Sequence, residues 1–229
     1  MLMSYEIKFI FNNNKSHLIL DWVKNRLLPD PIYPYGIISS IYFDTRDWRF
    51  LEEKINSDYF KLKFRIRWYS ENEKIEPGGY SFIEIKKKIG STRKKIRKKS
   101  DISGKFLSEA DLNNEKFFRI ISTFRSMGEM IPDNIFPVFQ ISYKRWRFVE
   151  PVTGMRFCLD CDISTPKVNG LVFPKANPLY LENGVFEMKG VIDEFPELVH
   201  KLTLLGCKKE SFSKYCRCYQ KLNEANRIN

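Results

Sequence analysis

One nine-residue stretch decides how the chain folds: Lys61-Leu62-Lys63-Phe64-Arg65-Ile66-Arg67-Trp68-Tyr69. Cationic and apolar side chains alternate along it, with Lys63, Arg65 and Arg67 on one side and the apolar residues between them on the other. Alternation at period two is typical of a β-strand, because successive side chains point to opposite faces of a sheet. The stretch therefore predicts a strand with one face in the core and a second face that carries positive charge.

The same alternation recurs in short segments over residues 5–11, 39–44, 81–89, 138–149, 155–163 and 184–189. Apolar residues at helical spacing predict helices over 15–28 and 106–127. Pro196 near the first turn and Gly206 at the end predict a short helix over 193–205, and a last helix is predicted over 213–225. Ser108 and Asp111 resemble a capping box near the start of the second helix. Because no repeat or linker interrupts this order, we expect a strand-rich single domain over residues 1–229, with flanking helices.

Composition and charge narrow the class of protein. Hydrophobic residues make up 43% of the 229 residues and aromatic residues 15%, which allows a packed core and excludes a wholly disordered chain. The 39 lysines and arginines exceed the 28 aspartates and glutamates. The net charge of +11 favours a polyanionic partner such as nucleic acid, a phosphate ester or an anionic membrane surface. No run approaches the roughly 20 apolar residues of a membrane span, so the sequence predicts a cytoplasmic protein without a membrane segment.

The polar faces of the predicted strands are mostly cationic. One interpretation is a sheet with its polar face in water. Like charges along one face repel one another, however, and arginine suits bidentate contacts with phosphate. We therefore favour a sheet closed into a barrel whose cationic lumen takes a polyanion. Ten cations share this parity with five acids: Lys8, Lys63, Arg65, Arg67, Lys86, Lys88, Arg145, Arg147, Arg156 and Lys189, against Glu6, Glu84, Asp160, Asp162 and Glu187.

The acids of these faces cannot bind phosphate directly. They can form ion pairs with neighbouring cations, or they can hold a divalent metal through carboxylate oxygens. Glu187 and Glu6 are the two acids that we expect to face a metal. The basic run over residues 86–99 has an ambiguous strand register, and within it Lys95 and Arg97 are candidates for the lumen.

Eight segments, taken in order along the chain, are similar to segments of one known family. They are Tyr5-Glu6-Ile7-Lys8, Ser40-Ile41-Tyr42-Phe43-Asp44-Thr45, the basic strand over 63–69, Phe82-Ile83-Glu84-Ile85-Lys86, Tyr143-Lys144-Arg145, residues 156–160, Phe186-Glu187-Met188-Lys189 and Ser213-Lys214-Tyr215. In this order the segments resemble the catalytic domain of VTC (vacuolar transporter chaperone) proteins, a branch of the triphosphate tunnel metalloenzymes. The resemblance covers nearly the whole chain.

The resemblance implies a fold, an activity and a set of site residues. The implied fold is α+β: a closed antiparallel β-barrel of about eight strands, with flanking helices, around a basic tunnel. The implied activity transfers the γ-phosphate of ATP onto a growing inorganic polyphosphate chain with Mn²⁺ or Mg²⁺. Glu187 would hold the metal, and Tyr42 and Asp44 match a family segment without an assigned role. The residues expected to bind phosphate are Lys8, Lys63, Arg65, Arg67, Lys86, Arg145, Arg156, Lys189 and Lys214, of which Arg65, Arg67, Lys86 and Lys214 are the expected catalytic residues.

Two other functions remain open at this point. The first is hydrolysis of an inorganic or organic triphosphate in the same tunnel, with water as the acceptor. The second is a non-catalytic RNA or polyanion binder that uses the 86–99 run, with Trp68 and Trp146 as exposed stacking residues. We regard nucleic acid as the less favoured partner. A Walker-type nucleotide site is not predicted, because no Gly-Lys-Ser/Thr follows a glycine-rich loop.

Overall fold

A computed structural model describes residues 4–70, 79–191 and 197–228, and within these ranges the fold is mixed α+β. The strands are β1 (Ser4–Asn12), β2 (Leu28–Pro29), β3 (Tyr35–Asp44), β4 (Phe60–Ser70), β5 (Ser81–Ile89), β6 (Thr92–Ser100), β7 (Phe136–Val149), β8 (Arg156–Thr165), β9 (Leu179–Tyr180), β10 (Asn183–Val191) and β11 (Lys208–Lys209). The α-helices are α1 (Ser16–Lys24), α2 (Arg49–Ile55), α3 (Gly104–Glu109), α4 (Lys116–Ser126), α5 (Glu197–Leu204) and α6 (Lys214–Ile228).

The strands form one sheet in the order β11-β1-β10-β8-β7-β3-β4-β5-β6, with β2 beside β7 and β9 beside β8. The ladders β1–β10, β10–β8, β4–β5 and β5–β6 are all antiparallel. The predicted α+β class is therefore confirmed, and the sheet is mostly antiparallel, as predicted. The predicted closed barrel is not confirmed, because the hydrogen-bonded path ends at β11 and β6 and no ladder in the described part of the chain joins these ends. Side-chain alternation identifies the faces of a strand, but it does not reveal whether the first and last strands pair.

The chain divides into two compact units. Unit 1 comprises residues 1–37, 143–163 and 180–213, and unit 2 comprises residues 38–142, 164–179 and 214–229. The strands β3, β7, β8 and β9 contribute residues to both units. The expected single domain over residues 1–229 stays a prediction.

The core of unit 1 lies between helix α1 and the apolar faces of β1, β8 and β10. Phe11 of β1, Leu159 of β8 and Phe186 of β10 belong to this core, where α1 contributes Ile19. Each large apolar side chain buried in this way stabilises the fold by roughly 1.5–3 kcal/mol. A Cβ at Gly184 would overlap the ring of Phe11, so β10 can pass this close to the ring only because position 184 is glycine.

The core of unit 2 lies on the apolar face of β4 and β5. Phe64, Ile66 and Trp68 of β4 pack in one cluster with residues of α4, among them Phe124. The side chain of Trp68 is only 1% exposed, so the prediction that Trp68 is a surface stacking residue is wrong. Trp146 was also predicted to be an exposed stacking residue. Its side chain is instead partly buried, and the centroid of its ring lies 4.8 Å from the centroid of the Tyr35 ring.

The region of the predicted 106–127 helix differs from prediction in two respects. The predicted helix over 106–127 is two helices, α3 and α4. Between them, the side chain of Asp111 accepts the Asn113 N–H at 2.7 Å and that of Asn114 accepts the Lys116 N–H at 3.0 Å, and such local bonds compete with helix continuation. The predicted capping box is wrong, because Ser103 caps α3 by accepting the Phe106 N–H.

Two further differences are one unpredicted helix and the bounds of another. Helix α2 follows β3 without having been predicted. The predicted start of the 193–205 helix falls partly on residues outside the described ranges, and the helix observed there is Glu197–Leu204. No described helix combines the length and the apolar composition needed to cross a bilayer.

Candidate functional site

The second face of β4, β5 and β6, on the side away from the unit 2 core, carries rows of cations. Lys63 lies opposite Lys86 and Lys86 lies opposite Lys95, while Arg65 and Arg97 flank Glu84. Like charges placed directly opposite each other destabilise a sheet, so stability alone does not favour this arrangement. We call this surface the cationic face, and its basic residues are Lys61, Lys63, Arg65, Arg67, Lys86, Lys88, Arg93, Lys95, Arg97 and Lys99.

Glu84 lies at the centre of the cationic face and is fully buried. Its Oε2 accepts hydrogen bonds from Nε and Nη2 of Arg65 at 2.8 and 2.5 Å, and its Oε1 accepts one from Nε of Arg97 at 2.7 Å. Burial acts to raise the pKa of Glu84, but the charges of Arg65, Arg67 and Arg97 outweigh it and lower the pKa to about 2. The carboxylate is therefore ionised at neutral pH and holds both arginines.

Strand β3 supplies the polar groups that orient the arginines of β4. Nε of Arg67 donates to Oγ of Ser40 at 2.9 Å, and Nη1 of Arg65 donates to the phenol oxygen of Tyr42 at 3.2 Å. Burial acts to raise the pKa of Tyr42, but the charges of Arg65, Arg67 and Lys63 outweigh it and the net shift is downward. Both guanidinium groups are buried and held by hydrogen bonds, so each is fixed in one orientation.

The start of helix α6 is anchored beside these residues. The ring of Tyr215 stacks on that of Tyr42 with centroids 4.7 Å apart, and Nζ of Lys63 lies 5.7 Å from the centroid of Tyr215. The Tyr215 phenol donates to Oδ2 of Asp44 at 2.6 Å. Since Lys214 directly precedes Tyr215, this anchor fixes the backbone that carries Lys214.

Asp44 also organises the chain around it. Besides the Tyr215 phenol, it accepts the N–H groups of Phe50 and Leu51 at the start of α2, at 3.0 and 3.1 Å. Burial raises the pKa of Asp44, and burial together with the Asp44 charge raises the pKa of Tyr215 well above its usual range. Asp44 is thus an internal anchor that joins β3, α2 and α6.

In unit 1, the polar face of β1, β10 and β8, together with Arg145 of β7 beside it, carries charges of both signs, and we call it the mixed-charge face. Glu6 lies opposite Lys189 and Lys8 lies opposite Glu187 across the β1–β10 ladder. Nζ of Lys8 is 3.0 Å from Oε1 of Glu6, and Nζ of Lys189 is 2.7 Å from Oε1 of Glu187. Burial acts to lower the pKa of Lys189, but Glu187 outweighs it and the net shift is upward.

The arginines of the mixed-charge face differ in exposure. Arg145 of β7 forms a bidentate pair with the buried carboxylate of Asp160, at 2.5 and 2.6 Å, and its Nη2 lies 3.9 Å from Oε2 of Glu187. Burial acts to lower the pKa of Arg145, but Asp160 raises it well above its usual range. Arg156 of β8 lies opposite Lys189 of β10 and is exposed. Lys8 is also held by the backbone, since its Nζ donates to the Phe212 carbonyl at 3.1 Å.

The carboxylates of the mixed-charge face can be compared with what a divalent metal requires. Within residues 4–70, 79–191 and 197–228, no group of three His, Cys, Asp or Glu side chains forms a metal cluster. Mg²⁺ usually binds through one or two carboxylates, with water and substrate phosphates as its other ligands. Glu6 and Glu187 are carboxylates of the type that this mode uses, and the phosphate oxygens would arrive with the substrate. Each of them pairs with a lysine here.

The structure thus distributes the predicted site residues over two faces. Lys63, Arg65, Arg67 and Lys86 share the cationic face, and Lys214 begins α6. Lys8, Glu6, Arg145, Arg156, Glu187 and Lys189 belong to the mixed-charge face. Sequence reasoning missed the contacts of Glu84, Tyr42 and Asp44. Glu84 is two residues from Lys86, so the strand alternation could have placed it on the same face as the cations. No sequence pattern indicates the contact between Asp44 and Tyr215, which lie 171 positions apart.

Comparison with solved structures identifies proteins of the same fold. The Hippeastrum protein HpAC1, a candidate adenylyl cyclase described as having a dominant triphosphatase activity, is 16% identical, with 96% of each chain covered and a TM-score of 0.51. A candidate adenylate cyclase from Bacillus halodurans is 13% identical, with 93% of this chain and 94% of that chain covered and a TM-score of 0.53. The PH1819 protein of Pyrococcus horikoshii OT3 is 17% identical, with 95% and 99% covered and a TM-score of 0.50.

The sequence comparisons give the family. A search of curated proteins found no match. The family model described as the VTC domain matches residues 3–223, which is nearly the whole chain. The chain therefore belongs to the VTC domain family.

Proposed function

We propose that this protein is a polyphosphate polymerase that transfers the γ-phosphate of ATP onto a growing inorganic polyphosphate chain. Membership of the VTC domain family supports a phosphate-handling enzyme. The observation that carries the proposal is the pair of buried, hydrogen-bonded guanidinium groups of Arg65 and Arg67, which share one face with Lys63 and Lys86. Such a surface binds phosphate groups in a fixed orientation.

Phosphoryl transfer asks little covalent chemistry of a protein. It requires cations that neutralise the equatorial oxygens of the transferred group and an acceptor held in line. Arg65 and Arg67 would bind these oxygens through their planar donors, and Lys63 and Lys86 would add point charges. Lys214 would approach the same phosphates from the start of α6.

The bonds in the proposed step balance without a protein nucleophile. An oxygen of the terminal phosphate of the polyphosphate chain attacks the γ-phosphorus of ATP, and the bond from that phosphorus to the β–γ bridging oxygen breaks. Nucleoside diphosphate leaves with the electron pair of the broken bond, and the chain is longer by one phosphate. No Ser, Cys or His is required as an intermediate acceptor.

The mixed-charge face of unit 1 is proposed by itself as a surface that binds phosphate and a divalent metal. Lys8, Lys189, Arg145 and Arg156 would bind phosphate, with the Arg145 guanidinium already oriented by Asp160. Glu187 and Glu6 would hold Mn²⁺ or Mg²⁺. When bound, this metal would withdraw charge from phosphate oxygens.

Hydrolysis of a triphosphate is the second candidate. The Hippeastrum protein, which shares the fold, is described as having a dominant triphosphatase activity, and this favours the candidate. The same cations would serve, with water in place of the polyphosphate acceptor.

One assay separates the two functions. Purified protein is incubated with ATP and Mn²⁺, and the products are separated by gel electrophoresis and assayed for orthophosphate. We expect a ladder of long polyphosphate that grows with time and is lost on addition of a chelator. Orthophosphate without a ladder would support hydrolysis and contradict polymerisation, and no turnover of either kind would contradict both.

A further inference from the structure

We propose that Glu84 is a positioning residue that orients Arg65 and holds Arg97 of β6 on the cationic face, so that Arg97 contacts bound phosphate. The inference rests on the proposed function in one respect, namely that the cationic face binds phosphate groups. Its central observation is the row Arg65–Glu84–Arg97, in which one carboxylate binds an arginine on each neighbouring strand.

Glu84 places a negative charge on a cationic face that is proposed to bind an anion. In the sequences of the three fully described strands β4, β5 and β6, it is the only acidic residue. A carboxylate there weakens the attraction of the face for an anion, and burying an ion carries a desolvation penalty. A residue with these two costs must provide something else, and the geometry points to orientation of the two arginines.

Arg97 is held from three directions. Its Nε donates to Glu84, its Nη2 donates to the phenol oxygen of Tyr69, and its guanidinium lies 4.1 Å from the centroid of the Phe82 ring. Its side chain is nevertheless 33% exposed, so an anion can reach it from the solvent side. Arg97 is therefore a fixed cation at the surface of the site. Lys95, two residues earlier on the same face of β6, is held less firmly, because its flexible side chain places Nζ 3.7 Å from Oε1 of Glu84.

Arg65 is held at the other end of the row. Its Nε and Nη2 donate hydrogen bonds to the Glu84 carboxylate, and its Nη1 donates one to the phenol oxygen of Tyr42. Because Tyr42 stacks on Tyr215, the chain of contacts continues from Glu84 through Arg65 to the start of α6. Loss of the Glu84 carboxylate should therefore disturb orientation across the site.

A simpler interpretation is that Glu84 only relieves repulsion between Arg65 and Arg97. The two interpretations predict different results for Glu84→Gln, which keeps the shape and one acceptor but removes the charge. Relief of repulsion predicts lower stability with unchanged turnover in the folded fraction. Positioning predicts that kcat falls about 10–100-fold, as a misplaced group does, while KM stays within a few-fold because the face has become more cationic.

The test compares Glu84→Gln, Arg97→Lys and Lys98→Gln with the wild type. Arg97→Lys keeps the charge but loses the planar donors, so we expect a fall in kcat close to that of Glu84→Gln. The double variant should be little worse than either single variant, because the two residues act as a unit. Lys98 lies opposite Ile83 on the other side of β6, and Lys98→Gln is the control for lost charge. An unchanged kcat in folded Glu84→Gln would overturn the proposal.

A readout that needs no turnover separates this inference from the proposed function. Arginine Nε–H signals in a nitrogen–proton correlation spectrum report which guanidinium groups are held. We expect protected Nε–H signals for Arg65 and Arg97 in the wild type, a shift of the Arg97 signal when inorganic tripolyphosphate is added to the wild type, and loss of both protected signals in Glu84→Gln. If Glu84→Gln does not fold, Glu84→Asp takes its place, because its shorter side chain withdraws the carboxylate from both arginines while keeping the charge, and we expect the same two protected signals to be lost. Unchanged protection in the variant would contradict positioning, even in a protein that polymerises phosphate.

Discussion

Tyr215 and Asp44 form a buried hydrogen bond of 2.6 Å between residues that lie 171 positions apart. The contact joins the first turn of α6 to the end of β3, and through Asp44 to the start of α2. It gives Asp44 a physical role that the sequence did not suggest. The backbone that carries Lys214 is held in place by this bond and by the stacking of Tyr215 on Tyr42.

Tyr215→Phe should weaken both stability and turnover. The ring and its stacking remain, but Asp44 loses one of its donors while buried, so we expect a loss of about 1–3 kcal/mol in the free energy of unfolding. The measurement is urea unfolding together with the polymerisation assay. Tyr219→Phe removes a phenol from the next turn of the same helix and should change stability by less than about 0.5 kcal/mol. Equal effects of the two variants would remove the anchoring role of Tyr215.

Arg65→Lys should lower turnover although the charge is kept. The lysine cannot reproduce the planar donors that Arg65 gives to Glu84 and Tyr42, so we expect kcat/KM to fall about 10–100-fold. The rate is measured as polyphosphate formed from ATP, with thermal unfolding as the check on folding.

The matched comparison uses the opposite face of β6. Lys94 and Lys98 lie opposite Lys87 and Ile83, away from the cationic face. The double variant Lys94→Ala and Lys98→Ala should keep its turnover. A protein that binds RNA through the 86–99 run would show the reverse, with RNA affinity lost in the lysine variants, a steep salt dependence and no effect of Arg65→Lys.

Much of this arrangement could be predicted from sequence and part of it could not. The alternation in β4 identified both faces, since Phe64 and Ile66 face the core and Arg65 and Arg67 face away. Strand β6 gave no such signal, because cations occupy both of its faces and no period distinguishes them. Only pairing with β5 places Arg97 opposite Glu84. Contacts set by pairing or by distant segments are invisible to a periodicity argument.

Glu187→Gln should separate metal-dependent turnover from folding and phosphate binding. The variant keeps its size and can still accept a hydrogen bond from Lys189, but it loses the negative charge that would hold a divalent cation. We expect metal-dependent turnover to fall at least about 100-fold while the protein folds and still binds tripolyphosphate without metal. Full activity over a manganese titration would exclude Glu187 as a metal ligand. Asp133→Asn, at an exposed carboxylate, is the control.

The free energy of unfolding should depend on pH through Glu84. Its pKa is lowered from 4.5 to about 2 in the folded state, so its contribution is present above pH 4.5 and is lost as the pH falls toward 2. At about 1.4 kcal/mol per pKa unit, the contribution is about 3 kcal/mol. Urea unfolding of the wild type and Glu84→Gln at pH 7, 4 and 2.5 measures it. The difference between the two proteins should shrink by most of this amount between pH 7 and pH 2.5, and a constant difference would contradict the low pKa.

A crystal of the protein soaked with inorganic tripolyphosphate and Mn²⁺ tests most directly whether the cationic face is where phosphate is bound. We expect phosphate oxygens about 2.7–2.9 Å from the guanidinium nitrogens of Arg65 and Arg67, with Lys63 and Lys86 beside them. An ordered tripolyphosphate bound only against the lysines on the other side of β6, with Arg65 and Arg67 contacting no phosphate, would contradict it.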